Sequence, residues 1–102
     1  MRELTKENFD EVVTDARMPV LVDFWSPGCG PCRMMEGVLE TVAARHPDVT
    51  FAKLDAAAFP DIAWAFGVVS VPALVLFRDG VPVKDIVGAV PVAQVEELLA
   101  LA

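Results

Sequence analysis

The residues Val20-Leu21-Val22-Asp23-Phe24 form a short apolar run that is rich in branched side chains. Such a run is typical of a β-strand covered on both faces, because a strand with one solvent-facing side alternates apolar and polar residues instead. A strand of this kind needs helices above and below its sheet. The segment therefore favours an α/β fold, and Asp23 is the only charged residue within it.

The segments around this run follow helical and strand patterns in turn. Apolar residues recur at helical spacing in three segments: after Thr5, after the cysteine segment and near the carboxyl end. Thr5 can cap the first of these helices. Strands are predicted over 20–24, 49–54, 73–77 and 82–87, with a short helix between Pro60 and Gly67. Asp79-Gly80 suits the tight turn of a hairpin. The order α-β-α-β-α-β-β-α predicts a three-layer sandwich, a central mixed β-sheet with helices on both faces.

The chain length limits the number of domains. At 102 residues the chain corresponds to one domain of ordinary size, ~100–150 residues, so we expect residues 1–102 to form a single domain. With 55% hydrophobic residues, the chain has enough apolar surface to fold rather than stay disordered. We also expect several large apolar side chains outside the strands in the core: Met34, Met35, Trp64 and Phe66.

The charge of the chain excludes several partners. Eight Lys and Arg against fifteen Asp and Glu give a net charge of −7, which repels phosphate backbones and anionic lipid headgroups, so we expect neither nucleic acid nor membrane as a partner. The longest uncharged run, Ile62 to Phe77, is shorter than the ~20 apolar residues of a spanning helix. No apolar signal segment opens the sequence, so we expect a cytoplasmic protein, and nothing requires more than a monomer.

The two cysteines of the chain lie in Cys29-Gly30-Pro31-Cys32, just after the buried strand and at the start of a predicted helix. The first turn of a helix has unpaired N–H groups and a partial positive charge, which favour a thiolate. Cys29 is therefore the expected nucleophile. Cys32 lies one turn further, close enough for a disulfide with Cys29 and in a more buried place, as a resolving thiol requires. Pro31 fixes its φ angle within that turn.

Other uses of the cysteine pair are less well supported. A zinc site needs about four ligands, and beyond the two sulfurs the chain offers only His46; an iron–sulfur cluster fails for the same reason. A purely structural disulfide would close a very short loop and would stabilise the fold little. Redox exchange is therefore the favoured function of the pair, and a binding module whose dithiol is incidental is the alternative from another class.

Several segments of the chain resemble the thioredoxin family in order and spacing: Val22-Asp23-Phe24-Trp25, Cys29-Gly30-Pro31-Cys32-Arg33-Met34, Ser70-Val71-Pro72-Ala73 and Val87-Gly88-Ala89. The tetrapeptide Cys-Gly-Pro-Cys is the most specific mark of that family, and the resemblance covers nearly the whole chain. It implies a protein-disulfide reductase in which Cys29 attacks a target disulfide, Cys32 resolves the mixed disulfide, and the two form a redox disulfide. It also implies that a thioredoxin reductase regenerates the dithiol and that the chain itself holds no tight cofactor.

Burial of Asp23 should raise its pKa, which makes it a plausible proton acceptor for Cys32. The resemblance supports this role and matches Lys53 to a lysine near that carboxylate. It also matches Pro72 to a cis-proline opposite the dithiol, which would leave the Val71 backbone free to pair with an extended substrate. Modulating roles are implied for Lys53, Gly30, Pro31 and Pro72. The substrate-binding surface is implied at Trp25, Gly28, Val71, Pro72, Val87, Gly88 and Ala89.

The sequence departs from the family at two positions near the motif. Gly28 stands where these proteins usually carry Trp, and Gly37 stands where they usually carry Pro. Without the flat aromatic contact, Cys29 should be more exposed and its choice of reductase and targets should change. A second hypothesis therefore keeps the fold but narrows the function, to a dedicated redox partner of one protein or of an atypical reductase. The segment before Leu4 is also too short for the family's full first strand.

Overall fold

A computed structural model describes residues 1–101 and contains a five-stranded β-sheet. The strands are β1 (Arg2–Leu4), β2 (Val20–Trp25), β3 (Thr50–Asp55), β4 (Ala73–Arg78) and β5 (Val81–Val87). The helices are α1 (Gly30–Arg45), α2 (Pro60–Ala65) and α3 (Val92–Leu101), and a π-helical segment, Asp10–Thr14, precedes β2. None of the helices in this part of the chain is long and apolar enough to cross a membrane.

Strand β2 lies in the middle of the sheet, whose order is β1-β3-β2-β4-β5. It pairs in parallel with β3 and antiparallel with β4, while β1 continues the parallel part and β5 the antiparallel part. All of its residues from Val20 to Phe24 are at most 2% exposed. The predicted mixed sheet and its strand covered on both faces are confirmed.

Helices cover both faces of the sheet, as the sequence predicts. On one face, α1 and α3 pack their apolar residues against the sheet. On the other face, the π-helical segment and α2 do the same. Successive side chains of a strand point to opposite faces, so Asp23 shares the face of Leu21, which packs in the α1 and α3 layer. The three-layer α/β sandwich is therefore confirmed, and it directs the Asp23 carboxyl group toward the side of the sheet that carries α1.

The amino-terminal segment contains a strand that the predicted order of elements lacked. β1 is only three residues long and pairs with β3 at the edge of the sheet. Only Leu4 in it is apolar and buried, so the strand leaves no alternating pattern to detect. The helix predicted after Thr5 is instead a turn followed by the π-helical segment, whose N-cap is Phe9 and has no side-chain cap. Thr5 caps only the turn: its Oγ1 accepts the N–H of Asn8 at 3.3 Å, and its own N–H donates to Asn8 Oδ1 at 2.7 Å.

The predicted hairpin turn is present, whereas two of the large apolar side chains expected in the core are exposed. Asp79 and Gly80 join β4 to β5 with φ angles of +54° and +76°, so the hairpin turn is confirmed. Met35 is buried, as expected. Met34 and Trp64 are not in the core, with 69% and 72% of their surfaces exposed. The inward positions of α1 and α2 are occupied by their neighbours Met35 and Ala63, which turns these two side chains outward.

Candidate active site

The Cys-Gly-Pro-Cys segment joins the loop after β2 to the first turn of α1. Cys29 is the N-cap residue of α1, with φ −86° and ψ 106°, and its Sγ accepts the N–H of Cys32 at 3.2 Å. Gly30 and Pro31 occupy the first turn. The sulfur of Cys29 thus lies at the positive end of the helix and receives one of its unpaired N–H groups.

The two cysteines are bonded to each other, with their Cα atoms 5.2 Å apart. Only 4% of Cys32 is exposed, whereas Cys29 is half-buried. The fold therefore accommodates the disulfide, and Cys29 is the cysteine that a partner can reach more readily.

Asp23 lies deep beside this disulfide. Its side chain is 2% exposed, and its Oδ1 has no hydrogen-bond partner among residues 1–101. Burial raises the pKa of Asp23 from 3.8 to about 7, the charge of Glu36 acts in the same direction, and Lys53 opposes both. Desolvation outweighs the attraction of the lysine, so this carboxyl group exchanges its proton near neutral pH.

Lys53 is the register partner of Asp23 on the neighbouring strand β3. Its Nζ lies 5.4 Å from the centroid of the Trp25 ring and 3.9 Å from Glu3 Oε2. The positive charge is thus shared between an aromatic face, an exposed carboxylate and the buried Asp23. This sharing is consistent with a lysine that lowers the pKa of Asp23 less than burial raises it.

A cleft of about 240 Å³ connects the disulfide to Asp23. It brings together several residues that were predicted as site residues from the sequence: Asp23, Trp25, Gly28, Cys29, Cys32 and Lys53. Four more residues, none of them predicted as site residues, also line it: Ser26, Pro27, Arg33 and Glu36. A signal for Glu36 was present, because it follows Cys32 by four residues and so lies on the same face of α1.

The remaining selected residues lie outside this cleft. The Val71–Pro72 bond is cis, and the carbonyl oxygen of Pro72 accepts the N–H of Gly88 at 2.8 Å, which joins the β4 side of the site to the segment after β5. Val87 is 63% exposed, and Ala89 is exposed beside it. Val71 borders a separate apolar groove that shares only Ser26 with the cleft.

The geometry fits electron exchange through sulfur better than metal binding. Within the described residues, no group of three or more His, Cys, Asp or Glu side chains is placed to hold a metal ion. The cleft instead offers a bonded cysteine pair at a helix start, with a carboxyl group that titrates near neutrality. Such an arrangement can form and break disulfides and can take up a thiol proton.

The raised pKa of Asp23 predicts that stability falls as the pH rises. Between the unfolded value of 3.8 and the folded value of about 7, the folded chain binds the extra proton, so unfolding becomes easier with increasing pH. Asp23→Asn removes the ionisable group and with it this pH dependence of stability. We expect the stability gained by Asp23→Asn to be larger at pH 8 than at pH 5 by roughly 3 kcal/mol. Urea unfolding of both oxidised proteins across this range measures it, and parallel pH curves would contradict it.

Comparison with known proteins places this site in a family. A family model described as Thioredoxin matches residues 1–100. A thioredoxin of Alicyclobacillus acidocaldarius is 48% identical over 98 residues, which cover 95% of this chain and 92% of that protein. A thioredoxin of Mycobacterium tuberculosis is 51% identical over 88 residues, which cover 85% of this chain and 76% of that protein.

A further relative is larger. The bifunctional thioredoxin reductase/thioredoxin of Mycobacterium leprae is 48% identical over 88 residues, which cover 85% of this chain and 19% of that protein. The family match spans both the cysteine pair and the sheet that supports it. The chain belongs to the thioredoxin family.

Proposed function

We propose that this chain is a protein-disulfide reductase that passes two electrons from the Cys29–Cys32 pair to disulfides of target proteins. The observation that carries this function is the bonded Cys-Gly-Pro-Cys pair at the start of α1, with the Cys29 sulfur accepting a helix N–H. A thiol–disulfide oxidoreductase needs a nucleophilic thiolate and a second thiol within reach, and the site provides both.

In the first step, the Cys29 thiolate attacks one sulfur of a target disulfide. A bond forms between Cys29 Sγ and that sulfur, and the other target sulfur leaves as a thiolate and takes a proton from water. Cys29 is the attacking residue because it is the less buried of the two and its sulfur lies at the helix N-terminus. The product is a mixed disulfide between the two proteins.

In the second step, Asp23 as a carboxylate takes the proton of the Cys32 thiol. The Cys32 thiolate then attacks Cys29 Sγ, which releases the second target sulfur as a thiolate that takes up a proton. The target has gained two electrons and two protons, and the cysteine pair has become a disulfide. The shared cleft and the neutral titration of Asp23 support this role.

The substrate-binding surface of this proposal surrounds the exposed side of the disulfide. Exposure of Gly28, Gly30, Pro31, Val87 and Ala89 supports it, as does the Pro72–Gly88 hydrogen bond that holds two of its segments together. Trp25 and Val71 border it from the cleft and from the neighbouring groove. An extended target segment can pair with the backbone of Val71 while its cysteine reaches Cys29.

A thioredoxin reductase regenerates the dithiol in this proposal. The family membership supports that partner, as does the relative in which a reductase and a thioredoxin are parts of one bifunctional protein. We further propose that residues 1–102 act as a single-domain monomer in the cytoplasm, maintaining cell redox balance without nucleic acid, membrane or a tightly held cofactor. The net charge of −7 supports the exclusion of nucleic acid and anionic lipid.

A narrower function, that of a dedicated redox partner, is favoured by one observation. Gly28 has a φ angle of +80°, a conformation that L side chains rarely adopt. A side chain at this position would be strained, so the loop before Cys29 suits glycine and presents no tryptophan to the target. Recognition by a general reductase or by many targets would then lack a large apolar contact.

The test of the proposed function is reduction of insulin with dithiothreitol as the electron source. We expect the wild-type chain to accelerate precipitation of the insulin B chain, Cys29→Ser to fall to the rate of dithiothreitol alone, and Cys32→Ser to accumulate mixed disulfides. Many proteins trapped by Cys32→Ser from a lysate would indicate a general reductant, and one dominant protein a dedicated partner. If both cysteine variants kept the activity of the wild-type chain, the proposal would be contradicted.

The role of Asp23 has a separate kinetic test. Asp23→Asn keeps the shape of the side chain but removes the proton acceptor, so we expect resolution by Cys32 to slow by roughly tenfold or more at pH 7, while the first attack by Cys29 changes much less. Stopped-flow measurement of the two successive releases from an aromatic disulfide separates these steps. Equal slowing of both steps would argue against a proton transfer to Asp23.

A further inference from the structure

We propose that Glu36 is a positioning residue whose carboxylate, at the mouth of the cleft, raises the pH at which Asp23 accepts the Cys32 proton. This inference deepens the proposed reductase function and rests on it. Nothing in the resemblance to thioredoxins assigns a role to this position.

The geometry of α1 brings Glu36 to the cleft. Cys29 is the N-cap of the helix, and Cys32, Arg33 and Glu36 follow it at the spacing of one helix face. All of these residues line the cleft whose inner end is Asp23. Asp23 is 2% exposed, whereas Glu36 is exposed, so Glu36 lies where the cleft meets solvent.

The charges that face Asp23 come from two elements. Helix α1 contributes Glu36 and Arg33, and strand β3 contributes Lys53, whose charge is shared with Glu3. On the other side, Asp23 is opposite Leu74 of β4, which carries no charge. After burial, Glu36 is the second cause that raises the pKa of Asp23, and it acts against Lys53. Among the described residues, Glu36 is the only acidic side chain other than Asp23 itself that lines the cleft.

The consequence concerns the second step of the reaction. Asp23 accepts a proton only as a carboxylate, so the rate of resolution rises with pH through the titration of Asp23. A negative charge at Glu36 moves that titration upward and therefore delays resolution to higher pH. Removing the charge makes Asp23 a carboxylate, ready to accept the Cys32 proton, at lower pH.

A charge series at position 36 tests this inference. Single-turnover resolution is followed as the second release of coloured thiolate from dithiobis-nitrobenzoate, across a range of pH, for wild type, Glu36→Gln and Glu36→Lys. We expect the midpoint of the pH profile to fall by roughly half a pH unit in Glu36→Gln, the effect of one solvated charge, and by about twice that in Glu36→Lys. The shifts should shrink in high salt. Unchanged midpoints in both variants would overturn the inference.

Glu40→Gln is the matched control. Glu40 lies one turn further along α1, is also exposed and does not line the cleft. We expect its midpoint to equal that of wild type. An equal shift in Glu40→Gln would show a general effect of net charge and would overturn the assignment to Glu36.

Two further measurements show whether Glu36 acts through Asp23. In an Asp23→Asn background, we expect Glu36→Gln to leave the pH profile unchanged, and a retained shift would mean that Glu36 acts on another group. In the oxidised protein, the stability difference between wild type and Asp23→Asn should stop growing at a lower pH when Glu36 is Gln, because the folded-state pKa of Asp23 is then lower while its unfolded-state pKa is unchanged. This readout needs no activity, so an inactive chain would contradict the proposed function alone, whereas an unmoved stability curve would contradict the role of Glu36.

Discussion

The burial of β2 on both faces of the sheet determines where the reactive groups of this protein lie. Because helices cover both faces, the strand holds Asp23 in a position that water hardly reaches, on the side of α1. The same strand ends next to the loop that leads into that helix, so the Cys29 sulfur is delivered to the helix N-terminus. One strand thus provides the proposed proton acceptor and leads directly to the proposed nucleophile.

Burial of Asp23 disfavours its charged form, which lowers stability at high pH and raises the pKa of the carboxyl group to about 7. A buried carboxylate would be stabilised best by a close cation or by N–H donors, yet its Oδ1 has no such donor among the described residues and Lys53 is shared with Glu3 and Trp25. Desolvation therefore outweighs the attraction of the lysine. The same imbalance that disfavours the charged form makes the carboxyl group titrate near neutral pH, as the proposed proton transfer from Cys32 requires.

The sequence predicts those features that depend on local pattern. An apolar run marks the central strand, helical spacing marks α1, and the cysteine spacing at a helix start marks Cys29 as the nucleophile. Features that depend on distant packing were missed. β1 exists only because β3 offers an edge to pair with, and Trp64 is exposed because its neighbour Ala63 takes the inward position on a short helix. Glu36 lies one turn beyond Cys32, but its proposed role depends on a cleft formed by separate elements.

The central claim is that the fold activates the Cys29 sulfur, and its most direct test is the rate at which that sulfur is alkylated. In Cys32→Ser, where Cys29 is the only thiol, iodoacetamide can be reacted at pH 7 with the folded protein and with the same protein unfolded in guanidinium. Because free cysteine ionises near pH ~8.5, the account predicts a rate roughly fivefold or more higher in the folded protein. Equal rates, or a slower reaction in the folded protein, would contradict it.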